Sequence, residues 1–503
     1  MTTPQAQGPA APPQSGLARE MGLPGLVATG VCSMIGAGIN VIPFMIQRHA
    51  PGIGPNVLPA FLFAALPAVL AGLAYAVLAS AMPRAGGSYV YASRALDPYL
   101  GFVASFSQWF SLCVAIGVVS YLIVPFLRDV AAASGATSVA ATLEAGPIRL
   151  TISLAFLWAA TLVNVRGVRA YERLIVPLMF LTFLLGGVVI VAGFSFDHDA
   201  FAAALQAREG RTVPAIGAPP LSWSVLLPAS ALLFASFIGF DSIAQAGGES
   251  KNPGRNLPLA IGIAVVSVGF FYMLFTGAVY HAVPWQFIAA EARHRDVTAP
   301  GLLGYLLPPA WTVVIVAGAA VALIKDLPAM LLGVSRLMFA WAEDGIFPSA
   351  IAAVHRRFRT PHVAILASAM MATLGVLGCY VAGDFFLGID ILVTSMLVNF
   401  LLMAVSVVTL PARNAALARE VTVLPSRAAQ VPLAALAIAV LAVFLGVHTW
   451  RDLSAPAAAW YLRSTPLWLL VMAAGSIIYM RETWKLRRQG VDLGARFATL
   501  PPG

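Results

Sequence analysis

Residues 21–47 read MGLPGLVATGVCSMIGAGINVIPFMIQ, a run without a charged side chain that carries Gly36 and Gly38 near its middle. The run is longer than the roughly 20 residues that a helix needs to cross a hydrocarbon core about 30 Å thick. A helix that opens within hydrocarbon leaves amide and carbonyl groups without partners, which is unfavourable unless protein, water or a ligand satisfies them. The stretch therefore predicts a membrane-spanning helix that is broken at a binding site.

A second interruption of this kind lies far along the chain, at Ile238-Gly239-Phe240. It ends a charge-free run that begins at Thr212, and it follows the first break by roughly two hundred residues. Two broken spans at such a separation indicate two related halves, each of which supplies a discontinuous helix to one shared site.

The composition identifies the class of protein. The 503 residues are 60% hydrophobic and 10% charged, with a mean hydropathy of +0.86, which is too apolar for a soluble globular protein. Strands of a membrane β-barrel would be shorter and would alternate in polarity. The sequence therefore predicts an all-α polytopic membrane protein. The net charge of +9 does not imply a nucleic-acid partner, because arginines beside membrane spans explain it.

Hydropathy predicts twelve transmembrane helices and hence both termini on one side of the bilayer. The predicted spans are residues 23–47, 57–81, 101–127, 150–165, 174–194, 222–247, 258–283, 310–341, 362–383, 387–410, 430–449 and 465–480. With the amino terminus inside, twenty of the 30 lysines and arginines fall on the cytoplasmic side and nine on the other. The positive-inside rule therefore predicts cytoplasmic termini in an inner or plasma membrane.

The positions of the breaks predict the domain organisation. Residues 1–20 are rich in Pro, Ala, Gln and Gly and lack the features of a cleaved signal, so we expect a disordered cytoplasmic tail. Residues 21–195 form a first five-helix repeat and residues 222–410 form a second one. Because each repeat crosses the membrane an odd number of times, the second is inverted relative to the first. Residues 430–481 add two helices, and residues 482–503 form a second cytoplasmic tail.

Four sequence blocks follow one another between these spans. They are IGAGI at 35–39, PRAGGSYVY at 83–91, FIGFD at 237–241 with ESKNP at 249–253 and RNLP at 255–258, and AEDG at 342–345 with RTP at 359–361. From about residue 20 to about residue 410 the chain resembles the amino acid-polyamine-organocation permeases. The resemblance implies a leucine-transporter-like fold, with a five-plus-five inverted repeat and two C-terminal helices. It also implies secondary active transport of amino acids or related amines.

An amino acid zwitterion requires a partner for its carboxylate and another for its ammonium group. Amides at the amino terminus of a half-helix suit the anion, and released carbonyl groups suit the cation. We expect the amides of residues 37–39 in the first role and the carbonyls of Phe234, Ala235 and Phe237 in the second. The predicted substrate-binding residues are Gly36, Ala37, Gly38, Ile39, Phe234, Ala235, Phe237, Ile238, Gly239 and Phe240. The alternative for the glycines is close helix packing.

The walls of this pocket would select the side chain of the substrate. Ala235 aligns where many relatives have a bulky aromatic residue, although Phe234 beside it is an alternative register. A small residue there predicts a substrate with a mid-sized or large side chain. Phe237 and Phe240 are expected to form lids or walls, with ordinary packing as the alternative.

Asp241 directly follows the second break. Ionisable groups within spans are costly and therefore indicate function. The resemblance implies a gating or proton-coupling carboxylate at this place, and burial favours the protonated form of such a group. The alternative is a cap for the second half-helix, and the two roles are compatible.

Lys325 and Asp326 lie together in the eighth predicted span and form the rest of the predicted coupling and gating set. Neighbouring helical residues point about 100° apart, so the two side chains cannot simply pair. Some proton-coupled relatives carry a lysine in the fifth span, where sodium-coupled members bind sodium; here that position is apolar, near Met179. We expect Lys325 to supply the cation instead and to bond the carbonyls of residues 32–35. A structural salt bridge is the alternative.

The sequence shows no metal-binding, phosphate-binding or nucleophile motif. The three cysteines, Cys32, Cys113 and Cys379, lie in apolar runs and are interpreted as packing residues. We therefore predict no cofactor, no metal and no enzymatic activity. The prediction is an amino acid permease that works by alternating access and is proton-coupled or exchanging. Its expected partners are an amino acid or related amine, the proton and the lipid bilayer, with no nucleic acid. One alternative is a polyamine or cationic amino acid antiporter, for which Asp326 is the only deep carboxylate besides Asp241. The other is an amino acid sensor that does not transport.

Overall fold

The computed structural model describes residues 17–295, 297–382, 386–454, 460 and 463–501. The side chains of Ala37, Ala382 and Phe386 are outside this description, as are residues 1–16 of the predicted amino-terminal tail and residues 502–503 of the other tail. The described chain is dominated by α-helices. In the first half they are α1 Leu23–Met34, α2 Ala37–His49, α3 Val57–Ala81, α4 Gly87–Ala95, α5 Pro98–Ala133, α6 Thr137–Glu144, α7 Gly146–Val165, α8 Val168–Ser195, α9 His198–Glu209, α10 Trp223–Leu233 and α11 Asp241–Gln245. In the second half they are α12 Pro253–Ala282, α13 Trp285–Ala292, α14 Ala299–Leu303, α15 Pro309–Glu343, α16 His362–Ala382, α17 Phe386–Arg413, α18 Ala415–Arg419, α19 Arg427–Ser454, α20 Ser464–Arg488 and α21 Leu493–Ala498.

Ten spans among the described residues are long and apolar enough to cross a bilayer, which confirms an all-α polytopic membrane protein. They correspond to ten of the predicted spans, and the first of them joins α1 and α2. The sixth predicted span is divided between α10 and α11, and the twelfth corresponds to α20. The twelve-helix count stays a prediction.

The bundle is built around α5 and α15, which pack against each other and are mostly buried. α5 starts sharply because the Asp97 side chain accepts from the amides of Tyr99 and Leu100, with Pro98 in the first turn. By contrast, α8 exposes large apolar side chains: Leu184 and Val191 are 67% and 68% exposed. Such a surface is stable in hydrocarbon but not in water.

Both described ends of the chain contact the same end of the bundle, which we call the terminal face. Backbone hydrogen bonds of 2.9 Å join Met21 to the loop at Glu249 and Lys251. At the other end of the chain, Nε of Arg84 donates to the carbonyl oxygen of Pro501 at 3.0 Å. Residues 84–86 and 245–246 adjoin each other, so the two ends meet at one place.

The predicted boundaries of both tails need correction. Leu17 is 5% exposed and Glu20 forms an ion pair of 2.8 Å with Arg169, so residues 17–20 pack on the bundle and do not belong to a disordered tail. At the other end, α20 extends to Arg488, and Phe497 of α21 is 5% exposed. The physical reason is that each segment carries an apolar side chain that is buried against the terminal face.

Candidate functional site

The first helix break lies where the sequence predicts it. α1 ends at Met34, α2 begins at Ala37, and the backbone of Gly36 between them is not helical. A Cβ atom at Gly36 would overlap Oδ2 of Asp326, so a larger residue here requires this carboxylate to shift. The first amides of α2 have no partner within their own helix and lie at the positive end of its dipole. This terminus therefore favours an anion.

The carbonyl groups at the end of α1 are held by side chains from two other helices. Nζ of Lys325, on α15, donates to the carbonyl oxygens of Ile35 at 2.5 Å and Cys32 at 3.3 Å. The hydroxyl of Tyr272, on α12, donates to the carbonyl oxygen of Met34 at 2.5 Å. The contact expected for Lys325 is thus present, and its role in proton coupling stays a prediction. Tyr272 was not identified from the sequence.

The second helix break follows a short 3₁₀ helix, Phe234–Phe237. Ile238 is extended, Gly239 has a φ of +135°, and α11 begins at Asp241. A Cβ atom at Gly239 would overlap the carbonyl oxygen of Ser33, and this φ is readily adopted only by glycine. Gly239 therefore allows the second break to pack directly against the end of α1.

One expected acceptor for an ammonium group already has a partner in the protein. The carbonyl oxygen of Ala235 accepts from the amide of Ile238 at 3.3 Å. The physical reason is that the chain tightens into a 3₁₀ turn before it opens, and such a turn closes hydrogen bonds over three residues. The segment therefore releases fewer carbonyl groups than the sequence pattern suggests.

Asp241 lies in a buried hydrogen-bond network rather than at an open pocket. Its Oδ1 accepts from the amide of Gly239 at 3.2 Å, and its other oxygen accepts from the side-chain amide of Gln108. Oε1 of Gln108 in turn accepts from Gln245 and Asn399, each at 3.2 Å. Asp241 is fully buried. Among the described residues, no side-chain cap hydrogen bond is present at the start of α11, so the capping role stays a prediction. The network ties the second break to α5 and α17.

The two breaks meet at a central cavity of about 90 Å³. Four of the predicted substrate-binding residues line it, and so does Asp326. The four are Gly36, Gly38, Ala235 and Ile238. Most of the remaining wall is apolar and comes from α5, α15 and α17: Leu112, Ala115, Val118, Val119, Leu122, Met330, Ile389 and Leu392. The cavity has room for about three water molecules at roughly 30 Å³ each.

Two serines that sequence reasoning missed also line the central cavity. Oγ of Ser33 and Oγ of Ser236 are buried and have no hydrogen-bond partner among the described residues. Helical serines commonly donate to a carbonyl one turn back, as Ser230 does to Leu226 at 2.8 Å. Because serine is so often satisfied in this way, its presence in a span gives no signal of a site.

The remaining predicted substrate-binding residues do not line this cavity. The side chain of Ala37 is outside the described part, Gly239 packs on α1, and the side chain of Ile39 faces α8 and α12. The three aromatic residues pack in ring clusters: Phe237 with Phe61 and Tyr272, Phe240 with Tyr75 and Phe400, and Phe234 with Phe400 and Phe444. Phe237 and Phe240 are therefore packing residues in this structure rather than lids. Ala235, not Phe234, occupies the register that faces the cavity.

A larger vestibule of about 570 Å³ lies at the end of the bundle opposite the terminal face. Val41 and Leu122 line both the vestibule and the central cavity. Its charged residues carry both signs: Arg128, Asp129, Arg149, Glu291 and Arg295. The cavity and a polar opening on that side therefore have two apolar wall residues in common.

The terminal face is closed by two buried ion pairs. Arg336 of α15 and Glu249 pair at 2.6 Å, with side chains 1% and 0% exposed. Arg94 of α4 and Asp344 pair at 2.5 Å and are equally buried. These pairs join α4, α15 and the loop after the second break to one another across the terminal face.

Comparison with known sequences fits this geometry. The sequence model described as amino acid permease matches residues 21–474, which is nearly the whole chain. The chain belongs to the amino acid permease family. The resemblance to the amino acid-polyamine-organocation permeases is thereby confirmed.

The chain is similar to several known transporters at low sequence identity. An uncharacterized transporter of Mycobacterium tuberculosis is 27% identical over 372 residues, which are 72% of this chain and 76% of the relative. The branched-chain amino acid permease BcaP of Bacillus subtilis is 30% identical over 178 residues, 33% of this chain and 37% of the relative. The low-affinity putrescine importer PlaP of Escherichia coli is 24% identical over 321 residues, 63% of each chain. All three names denote transporters, which points to a transporter and not to an enzyme.

Proposed function

We propose that this permease carries amino acids or related amines across the inner or plasma membrane by alternating access, with the central cavity as its substrate site. The observation that carries the proposal is that both helix breaks contribute to one cavity. Gly36 and Gly38 come from the first break, and Ala235 and Ile238 from the second. Discontinuous helices that meet in this way are typical of substrate sites in secondary transporters.

The two ends of the bundle support alternating access. Buried ion pairs lie at the terminal face, whereas on the opposite side the cavity and the vestibule share Val41 and Leu122 as wall residues. We propose that the terminal face is cytoplasmic, because the loops on this side carry most of the arginines. The cavity of about 90 Å³ is smaller than most amino acids, so this conformation fits a nearly closed stage between the two open ones.

Proton coupling is proposed to act through Lys325. Its buried ammonium group bridges α15 to the end of α1, a place where a bound cation would also satisfy the carbonyls of Cys32 and Ile35. Loss of the proton removes the charge from these two bonds, and charge-assisted hydrogen bonds are roughly twice as strong as neutral ones. Deprotonation would therefore loosen the first break from the scaffold.

We also propose the inverted-repeat organisation, with residues 21–195 and 222–410 as its two halves. Its support is that each half begins with a broken helix and that the two breaks pack on each other at Gly239 and Ser33. The helices α19 and α20 lie outside the repeat and contact α17.

Uptake into proteoliposomes tests the proposed function. The purified full chain would be reconstituted and offered radiolabelled amino acids and amines, with and without an inward proton gradient. We expect saturable uptake of at least one compound, and faster uptake with the gradient. Binding of a compound that is never accumulated or exchanged would contradict transport and favour the sensor.

A second candidate function, transport of organic cations, is favoured by the position of Asp326. This carboxylate lines the cavity, whereas Asp241, the other candidate, does not. Among the described lining residues Asp326 is the one carboxylate, so the cavity suits a single positive charge better than the two charges of a diamine.

A further inference from the structure

Three residues that line the central cavity each carry a buried polar atom that no described group of the protein satisfies. They are Oγ of Ser33, Oγ of Ser236 and Oδ1 of Asp326. They belong to three different elements, α1, the 3₁₀ helix before the second break, and α15. Buried polar atoms without partners are uncommon in folded proteins. Three of them on residues that line one cavity point to a ligand that supplies the missing hydrogen bonds.

The chemistry of these atoms indicates which group they bind. A carboxylate oxygen only accepts hydrogen bonds, and a hydroxyl group can accept as well as donate. Together they offer three acceptors and one negative charge. A primary ammonium group has three donors and one positive charge. The match is therefore complete in both number and sign.

Other acceptors for a cation near the breaks are already in use. Lys325 and Tyr272 hold the carbonyl oxygens of Cys32, Met34 and Ile35. The carbonyl oxygen of Ala235 accepts from Ile238. Lys325 points to the backbone of the first break, so Asp326 carries the charge that faces the cavity.

We propose that Asp326, Ser33 and Ser236 form a receptor for the primary ammonium group of the substrate. The proposal rests on the proposed function of the cavity as the substrate site, and it names the substrate class as an amine cation with an apolar body. The apolar walls from α5 and α17 surround that body, with Leu112 and Leu392 among them. A carboxylate on the substrate would lie at the start of α2, but the receptor does not require one.

Three probes that share the branched alkyl side chain of leucine separate the two charges. They are L-leucine, 3-methylbutylamine, which lacks the carboxylate, and 4-methylpentanoate, which lacks the amine. Each probe is tested for thermal stabilisation of the solubilised full chain. Each is also tested for inhibition of the exchange of a transported compound in proteoliposomes without a proton gradient. We expect 3-methylbutylamine and L-leucine to bind and 4-methylpentanoate not to bind.

Four variants test the receptor. Asp326→Asn keeps the shape of the side chain and removes its charge, and we expect it to weaken binding of both amines by about 10- to 100-fold. Ser33→Ala and Ser236→Ala each remove one acceptor and should weaken binding by about 3- to 10-fold. Ser120→Ala is the matched control, because Ser120 is buried on α5, donates to Ile116 at 2.8 Å and does not line the cavity.

The outcomes separate this proposal from the transport assignment. If Asp326→Asn fails to fold, the two serine variants decide in its place. Three results would overturn the receptor while transport could persist. The first is unchanged amine binding in folded Asp326→Asn or in both serine variants. The others are failure of both amines to bind the wild-type chain, and binding of 4-methylpentanoate as tight as that of the amine. Conversely, amine binding that depends on Asp326, without uptake or exchange of any compound, would uphold the receptor and overturn the transporter.

Discussion

Lys325 and Asp326 are consecutive residues of α15 that serve two different sites. Nζ of Lys325 lies 2.5 Å from the carbonyl oxygen of Ile35, whereas the carboxylate of Asp326 lies against Gly36 and lines the central cavity. Neighbouring residues of an α-helix point about 100° apart, because one turn takes 3.6 residues. One helix therefore presents a cation to the backbone of the first break and an anion to the cavity. Substitutions at the two positions should have separable effects.

Replacement of Lys325 by methionine should uncouple uptake from the proton gradient. Methionine has a similar length but neither the charge nor the donors, so the carbonyls of Cys32 and Ile35 lose their partner. Initial uptake rates with and without the gradient measure the effect, and we expect the stimulation to disappear while exchange without a gradient continues. Lys251→Met, at an exposed lysine, is the control. Full gradient-driven uptake by Lys325→Ala or Lys325→Met would rule out the coupling role.

Alanine at Gly36 or Gly239 should abolish uptake and lower the melting temperature of the solubilised chain. The new Cβ would overlap Oδ2 of Asp326 in the first case and the backbone of Ser33 in the second, where φ is also +135°. Strain and overpacking of this kind each destabilise by about 1–3 kcal/mol. Gly187→Ala and Gly262→Ala, whose Cβ atoms would meet no neighbour within 4 Å, should behave like wild type. Normal transport by Gly239→Ala would mean that the breaks do not need this close packing.

The sequence predicts the breaks well because the physics behind them is local. An apolar run long enough to span a bilayer has few ways to accommodate Gly36 or Gly239 except by close packing or by opening, and both occur here. The contact of Lys325 was expected from the resemblance, which implies a cation beside the end of the first half-helix; the physical reason for it is that a buried ammonium group needs oxygen partners. The breaks themselves follow from chain length, charge and backbone hydrogen bonding, which sequence patterns reveal.

The sequence does not predict which side chains face the cavity. A shift of one residue turns a helical side chain by about 100°, and the 3₁₀ turn before the second break changes that angle again. The rings of Phe237 and Phe240 consequently pack away from the cavity, and Ala235 faces it. The network around Asp241 depends on Gln108 and Asn399, which come from distant helices. Such contacts follow from the packing of the whole bundle.

Replacement of Ala235 by tryptophan should discriminate between substrates by size. Ala235 lines the cavity, so a large ring there would fill space that the side chain of the substrate needs. We expect uptake of large amino acids such as leucine to fall more than uptake of alanine. Competition assays measure the ratio of leucine uptake to alanine uptake. Phe234→Trp is the comparison, because Phe234 is buried away from the cavity. Equal loss of small and large substrates in Ala235→Trp would count against a pocket wall at this position.

Glu249→Gln should destabilise the protein and open the terminal face. The substitution leaves the guanidinium group of Arg336 buried without a charged partner, which typically costs about 3–5 kcal/mol. The matching change in an exposed pair, Asp129→Asn beside Arg128, should cost less than about 1 kcal/mol, because both side chains are more than a third exposed. Melting temperatures of the solubilised variants measure the difference. A thiol reagent directed at a cysteine introduced at Ala246 reports whether the terminal face has opened. If stability falls but this cysteine stays protected, the pair of Glu249 and Arg336 stabilises the fold and does not act as a gate.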